Sequence, residues 1–235
     1  MLEELFLRPS QVRYQAALRP DCVVFSSITD RFIAHGCRHS FPLRHRFIIS
    51  AMQPVRYALV AYVKDPAGEF VERLREELHP DQPHLAAHLT ILPPRCLQGD
   101  ELAALELLED VCSHAEPFEI TLGEVESFVP VTPTLFIRVA HAGYRMRELH
   151  DRLNTCILEA HEEWPYMPHL TIAKLSTEGQ AQNAYRTARD RWAQFRGSRR
   201  IHVKELTFVR EQEPNYWVDL AGVPLGRSLV SRTAR

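Results

Sequence analysis

Two short stretches of this chain carry residue types suited to moving protons at a phosphate: His88-Leu89-Thr90-Ile91 and His169-Leu170-Thr171-Ile172. Successive side chains of a strand point to opposite faces. Each stretch therefore sets an imidazole and a hydroxyl side by side, with two apolar residues behind them. Imidazole titrates near neutrality, so one of two otherwise similar histidines can accept a proton while the other gives one up. Threonine hydroxyls donate hydrogen bonds to phosphate oxygens. Displacement at a phosphodiester asks for this set: a base for the attacking oxygen, an acid for the departing one, and donors where negative charge builds. No metal is needed in that scheme. In a chain with 12 His a lone His-x-Thr means little, but here the tetrapeptide recurs in a matched setting, with Pro83-His84 shortly before one copy and Pro168 directly before the other.

The surrounding elements must bring the two strands together, and their order suggests how. A strand from Arg56 to Val63 places Tyr57, Leu59, Ala61 and Val63 on one face. Asp65-Pro66 opens a helix with Phe70, Leu74 and Leu78 on its apolar stripe, ending before Pro80. The first motif strand runs to Pro93-Pro94. Asp100 is the expected N-cap of a helix that turns Leu102, Leu105, Leu108 and Cys112 inward. An alternating run starts at Phe118. The series then repeats: a strand from Thr134 to Ala140, a helix after Gly143 with Leu149, Leu153, Cys156, Ile157 and Ala160 inward, the second motif, a helix from Glu178 with Ala181, Tyr185, Ala188 and Trp192 inward, and a strand from Ile201 to Val209. Pro214-Asn215 suits a hairpin turn before a last strand, Tyr216 to Leu220. Leu135 lies 78 residues after Tyr57, His169 lies 81 after His88, and Ile201 lies 83 after Phe118. The near-constant offset predicts a duplicated α+β body whose lobes span roughly 52–130 and 131–221, with strands free to cross between them. Residues 1–51 lack a sustained period and read as a poorly ordered extension. Residues 222–235 read as a frayed basic tail.

Bulk properties limit the function classes. Lys and Arg total 28 against 30 Asp and Glu, a net charge of -2, so no global field draws the chain to nucleic acid or membrane and any anion site must be local. The five Cys lack metal-binding or disulfide spacing, which points to a reducing compartment. No apolar stretch is long enough to span a membrane, and Glu3 and Glu4 are the wrong polarity for a secretory signal. The expected setting is the cytoplasm and the expected state a monomer.

On the paired H-x-T-x tetrapeptides, each with apolar residues in both x positions, residues 52 to about 221 resemble the two-histidine phosphoesterase superfamily, in particular its bacterial 2′-5′ RNA ligase and cyclic phosphodiesterase branch. The resemblance implies an α+β fold of two antiparallel sheets with flanking helices, related by an approximate two-fold about a central cleft. It implies no metal and no cofactor. The implied reaction is hydrolysis of 2′,3′-cyclic phosphates on RNA ends or small nucleotides, or joining of RNA through a 2′-5′ linkage. Carried over by position, His88 is the proton donor and His169 the acceptor, with Thr90 and Thr171 holding phosphate oxygens. The residues alone leave the two roles interchangeable.

Softer candidates lie nearby. Arg95 after the first motif and Lys174 after the second could add charge to the phosphate site. Phe136, or Phe128, could stack on a nucleobase. The run Arg186, Arg189, Arg191, Arg196, Arg199 and Arg200 reads first as a solvated helix face and turn, with a guide for a polynucleotide backbone as the alternative. Two rival classes stand beside the phosphoesterase reading. One is a metal-dependent hydrolase built on His79, His84 and His88, which Pro80 and Pro83 disfavour by interrupting the helix it needs. The other is a catalytically idle RNA or nucleotide binder, which would not need two titratable rings.

Overall fold

A computed structural model describes residues 54–79 and 86–226. The expected extension at 1–51, together with Pro80, Pro83 and His84, lies outside the described residues. Thirteen elements follow one another: β1 (Tyr57–Tyr62), α1 (Pro66–Leu78), β2 (His88–Arg95), α2 (Glu101–Ser113), β3 (Phe118–Ser127), β4 (Thr134–His141), α3 (Gly143–Leu153), a 3-10 turn (Cys156–Leu158), β5 (His169–Lys174), α4 (Glu178–Gln194), β6 (Arg200–Val203), β7 (Glu205–Glu213) and β8 (Tyr216–Pro224).

Local chemistry accounts for most boundaries. Asp65 caps α1 by accepting from the Ala67 and Gly68 amides, and Pro66 stands where no amide donor is needed. Asp100 caps α2 through the Ala103 amide, and Thr177 caps α4 through the Gln180 amide. Asn215 turns the β7–β8 hairpin at a φ of 62°, a conformation that Asn tolerates better than most residues.

The architecture is α+β with antiparallel pairing throughout, as expected, and the two expected sheets are continuous. Eight strands run in the order β6-β3-β4-β5-β2-β1-β7-β8. The motif strands β2 and β5 are its central pair, joined at Leu89 and Leu170. Strands do cross between the sequence halves. β3 pairs with β4 and β6, while β7 pairs with β1 and β8. About the central seam, the counterpart of β3 is therefore β7. The offset from Phe118 to Ile201 had matched β3 with β6, but those two strands are hydrogen-bonded neighbours, with Ile120 opposite Ile201. The helices cross as well: α1 packs against β5 and α3 against β2.

Four details differ from the periodicity. Leu102 is exposed, and Ala104 joins the expected Leu108 and Cys112 on the buried face of α2. α3 stops at Leu153, so Cys156 sits on a separate turn and is exposed. The run from Ile201 to Val209 is two strands, broken at Lys204. The expected tail begins later than residue 222, because β8 reaches Pro224 and both Val223 and Leu225 are buried.

Candidate active site

The core lies on one face of the sheet, where Leu89, Ile91, Leu170 and Ile172 pack among Leu59, Leu135, Ile137 and the apolar stripes of the helices. His88 and Thr90 point the other way. They stand opposite Tyr62 and Val60 of β1, whose face carries a smaller apolar cluster of Ala58, Val60, Val209 and Trp217. On the far side of the seam, His169 and Thr171 stand opposite Arg138 and Phe136 of β4. Because β2 and β5 pair at Leu89 and Leu170, both His-x-Thr edges face the same side of one sheet.

Each imidazole is held in the same way. His88 Nδ1 lies 2.9 Å from the Ala86 carbonyl, and His169 Nδ1 lies 2.7 Å from that of Met167. A carbonyl only accepts, so Nδ1 carries the proton in the neutral ring and the lone pair lies on Nε2. Phe128 and Phe136 stack on one another at 4.1 Å, and both meet the His169 ring at 5.2 Å, edge on.

Burial pushes both imidazoles below their ordinary range. His88 is brought down to about 4, with Arg75, Lys174 and His169 opposing further positive charge there and the Ala86 carbonyl pulling the other way. His169 is lowered by burial and by Lys174, against the pull of the Met167 carbonyl. Burial likewise brings Lys174 down to about 7. The two rings and Lys174 therefore lie in each other's field, with Arg75 adding positive potential at His88, which favours an anion beside them.

Lys174 reaches that locus through a bulge. Strict alternation after His169 and Thr171 would turn Ala173 toward the site and Lys174 into the core. Instead the β4–β5 register slips between Leu135 and Phe136, both Ile172 and Ala173 are buried in the core, and Lys174 comes back to the site face opposite Thr134. The same slip occurs in the first motif strand, where Ile91 and Leu92 are both buried. The position equivalent to Lys174 there is Pro93, five residues after its histidine as Lys174 is after His169. Between the two described motif strands, this position therefore carries a cation on β5 and none on β2.

Two expected ligand contacts have other work. The Arg95 guanidinium is 4% exposed and bonds Asn154 Oδ1 at 2.6 Å, the Leu158 carbonyl at 2.8 Å and Glu162 Oε1 at 2.6 Å, so it ties the end of β2 to the segment after α3 and has no face left for phosphate. Phe136 is 1% exposed beneath Phe128 and cannot offer its ring to a base. Two contributors were missed. Arg75 of α1 donates through Nε to the Ile172 carbonyl at 2.9 Å and through Nη2 to the Thr171 carbonyl at 3.0 Å. Tyr166 donates its hydroxyl to the Thr90 carbonyl at 2.7 Å and stacks on His150 at 4.2 Å. Among the described residues β2 and β5 share the single register pair Leu89–Leu170, and these side chains add hydrogen bonds to main-chain carbonyls of both motif strands. Among the described residues no group of three or more His, Cys, Asp or Glu could hold a metal ion, and no helix is long and apolar enough to cross a membrane.

Residues 63–215 match the family model of the 2′-5′ RNA ligase superfamily. The chain belongs to that superfamily. A protein of Halalkalibacterium halodurans, provisionally named a phosphoesterase, is 24% identical over 121 residues, covering 51% of this chain and 70% of its own. One of Oceanobacillus iheyensis with a similar name is 25% identical over 123 residues, covering 51% of this chain and 71% of its own. Among solved structures, E. coli LigT in apo form is similar with a TM-score of 0.52 at 13% identity, over 74% of this chain and 99% of LigT. Its complex with NADP+ gives 0.51 at 15%, with the same coverage. At those identities the likeness to LigT is one of fold.

Proposed function

We propose that this superfamily member is a phosphodiesterase that opens 2′,3′-cyclic phosphates of RNA ends or nucleotides to 2′-phosphates without a metal, and that the same groups can join two strands when a 5′-hydroxyl attacks in place of water, the bond to the 3′ oxygen breaking to leave a 2′-5′ linkage. The observation that supports the proposal is the pairing of the two motif strands at Leu89 and Leu170, with both His-x-Thr edges on the same side of the sheet and each ring oriented through Nδ1 by a carbonyl. In the forward reaction water attacks phosphorus, its proton passes to one imidazole, the bond from phosphorus to the 3′ oxygen breaks, and the other imidazole protonates that oxygen. Position in the superfamily makes His169 the acceptor and His88 the donor.

Burial disfavours the charged form of both rings in the free protein, so substrate binding is what favours the protonated donor. A phosphodiester supplies the negative charge that offsets Arg75 and Lys174 and favours the imidazolium. Thr90, Thr171 and Lys174 then steady the non-bridging oxygens. The NADP+ complex of LigT, a nucleotide bound on the same fold, lends support to a nucleotide ligand.

Turnover of a 2′,3′-cyclic nucleotide in chelator, without ATP, tests the reading. His88→Ala and His169→Ala should each lower kcat by roughly 10²- to 10⁴-fold. Retention of wild-type turnover by either variant, or loss of wild-type activity in chelator, would overturn it.

A further inference from the structure

The Arg-rich run does not behave as one surface. Arg191 pairs with Glu77 at 2.8 Å, Arg199 lies 4.6 Å over the Trp192 ring and bonds its carbonyl at 3.0 Å, and Arg200 stands 3.6 Å from Glu119. Arg186 has no hydrogen bond or ion pair among the described residues. Arg189 has a 3.4 Å contact to its chain neighbour Asp190 and stands 6.0 Å from the Tyr185 ring. Both side chains are exposed on α4 and line an open groove of about 630 Å³ with Ser127, Val129, Gln182 and Tyr185.

This groove follows the part of β3 that β6 leaves uncovered, since β6 pairs only from Phe118 to Thr121. Its link to the motif strands runs through Phe128 and Glu126. Ser127 and Val129 flank Phe128, whose ring rests on His169. At its lip Glu126 is neutralised by Arg138 at 2.8 Å, and Arg138 stands directly opposite His169. Outward from His169, β4 carries Arg138, which pairs with Glu126, and Glu126 lines the groove that also holds Arg189, Arg186 and the Tyr185 ring. Among the described residues the His88 side is lined differently: opposite His88 stands Tyr62, whose hydroxyl bonds the carboxylate of Asp219 at 2.7 Å.

Resting on the function proposed above, we infer that this groove holds the nucleotide adjoining the scissile phosphate, so that the substrate is the end of an RNA strand and the strand leaves on the His169 side. Arg186 and Arg189 meet backbone phosphates, and Tyr185 offers a ring to a base without selecting its identity. The local cations act despite the overall charge because phosphate contacts are short-ranged at physiological salt.

The full-length Arg186→Glu/Arg189→Glu double variant, whose changed side chains are exposed, provides the test. A single-nucleotide 2′,3′-cyclic phosphate is compared with an oligoribonucleotide of about six residues carrying the same end. kcat/KM for the oligomer should fall about tenfold, mostly through KM, while that for the mononucleotide stays within about twofold. Fluorescence anisotropy with an oligoribonucleotide ending in a 2′-phosphate, which needs no turnover, should show about a tenfold rise in Kd and a shallower salt dependence. Unchanged anisotropy, or equal losses on both substrates, overturns the groove assignment. If the wild-type protein turns over neither substrate, the proposed reaction fails, and the anisotropy difference alone still decides whether the groove binds RNA.

Discussion

Lys174 is the residue at which the two halves of the site stop being equivalent. Its counterpart is Pro93, so charge on the phosphate locus changes when one ammonium gives up its proton, at about 7. kcat/KM reports groups of the free enzyme. As pH rises through 7 Lys174 becomes neutral and its attraction for the phosphodiester is lost, so kcat/KM should fall on that limb. Lys174→Arg keeps the charge and should move the alkaline limb up by at least one pH unit in a profile on a cyclic nucleotide; an unmoved limb would remove Lys174 from the site. The two motif strands were legible as a pair because one pattern of four appears twice, and they are neighbours at the centre of the sheet. Lys174 was legible as a nearby cation, but its facing was not, because a bulge inverts strand alternation and leaves no mark in the composition. Arg95 and Phe136 were misassigned because adjacency in sequence says nothing about burial. Arg75 did leave a signal: it falls on the same helical stripe as Val71 and Leu78, and an arginine there needs partners inside.

At the scale of elements, the end of β2 depends on a buried charge cluster. Arg95 and His150 converge on Glu162, with the Arg95 side chain 3% exposed. Burial lowers the His150 imidazole, but hydrogen bonds to Glu162 and Asp151 outweigh it and hold the ring above its ordinary range. Removing one partner of such a cluster leaves the other charge buried without compensation. Arg95→Met should therefore cost about 3 kcal/mol in urea unfolding, and leave KM for a cyclic nucleotide within about twofold; a raised KM at unchanged stability would return Arg95 to the ligand. Helix and strand identities were readable from caps and periods, as at Asp65, Asp100 and Thr177. The end of α3 was not, because Cys156 and Ile157 continue the apolar pattern past the last helical residue.

For the whole molecule, duplication was visible in the spacing but strand exchange was not. Hydrophobic period fixes which face of a strand is buried, and not which neighbour it takes. β3 leaves the sequence half it is encoded in, and β7 fills its place beside β1. Neither half closes its sheet alone, so residues 52–130 expressed separately should stay unfolded, and the full chain should show one urea transition coincident by fluorescence and circular dichroism. Two resolved transitions would refute this. The exchange extends to the ties behind the motif strands. Tyr166, leading into β5, grips Thr90 on β2, and Arg75, on the helix after β1, grips Thr171 on β5. The opening between the two imidazoles is therefore gauged like a pair of calipers, by screws set on opposite arms and out of reach of whatever is being measured.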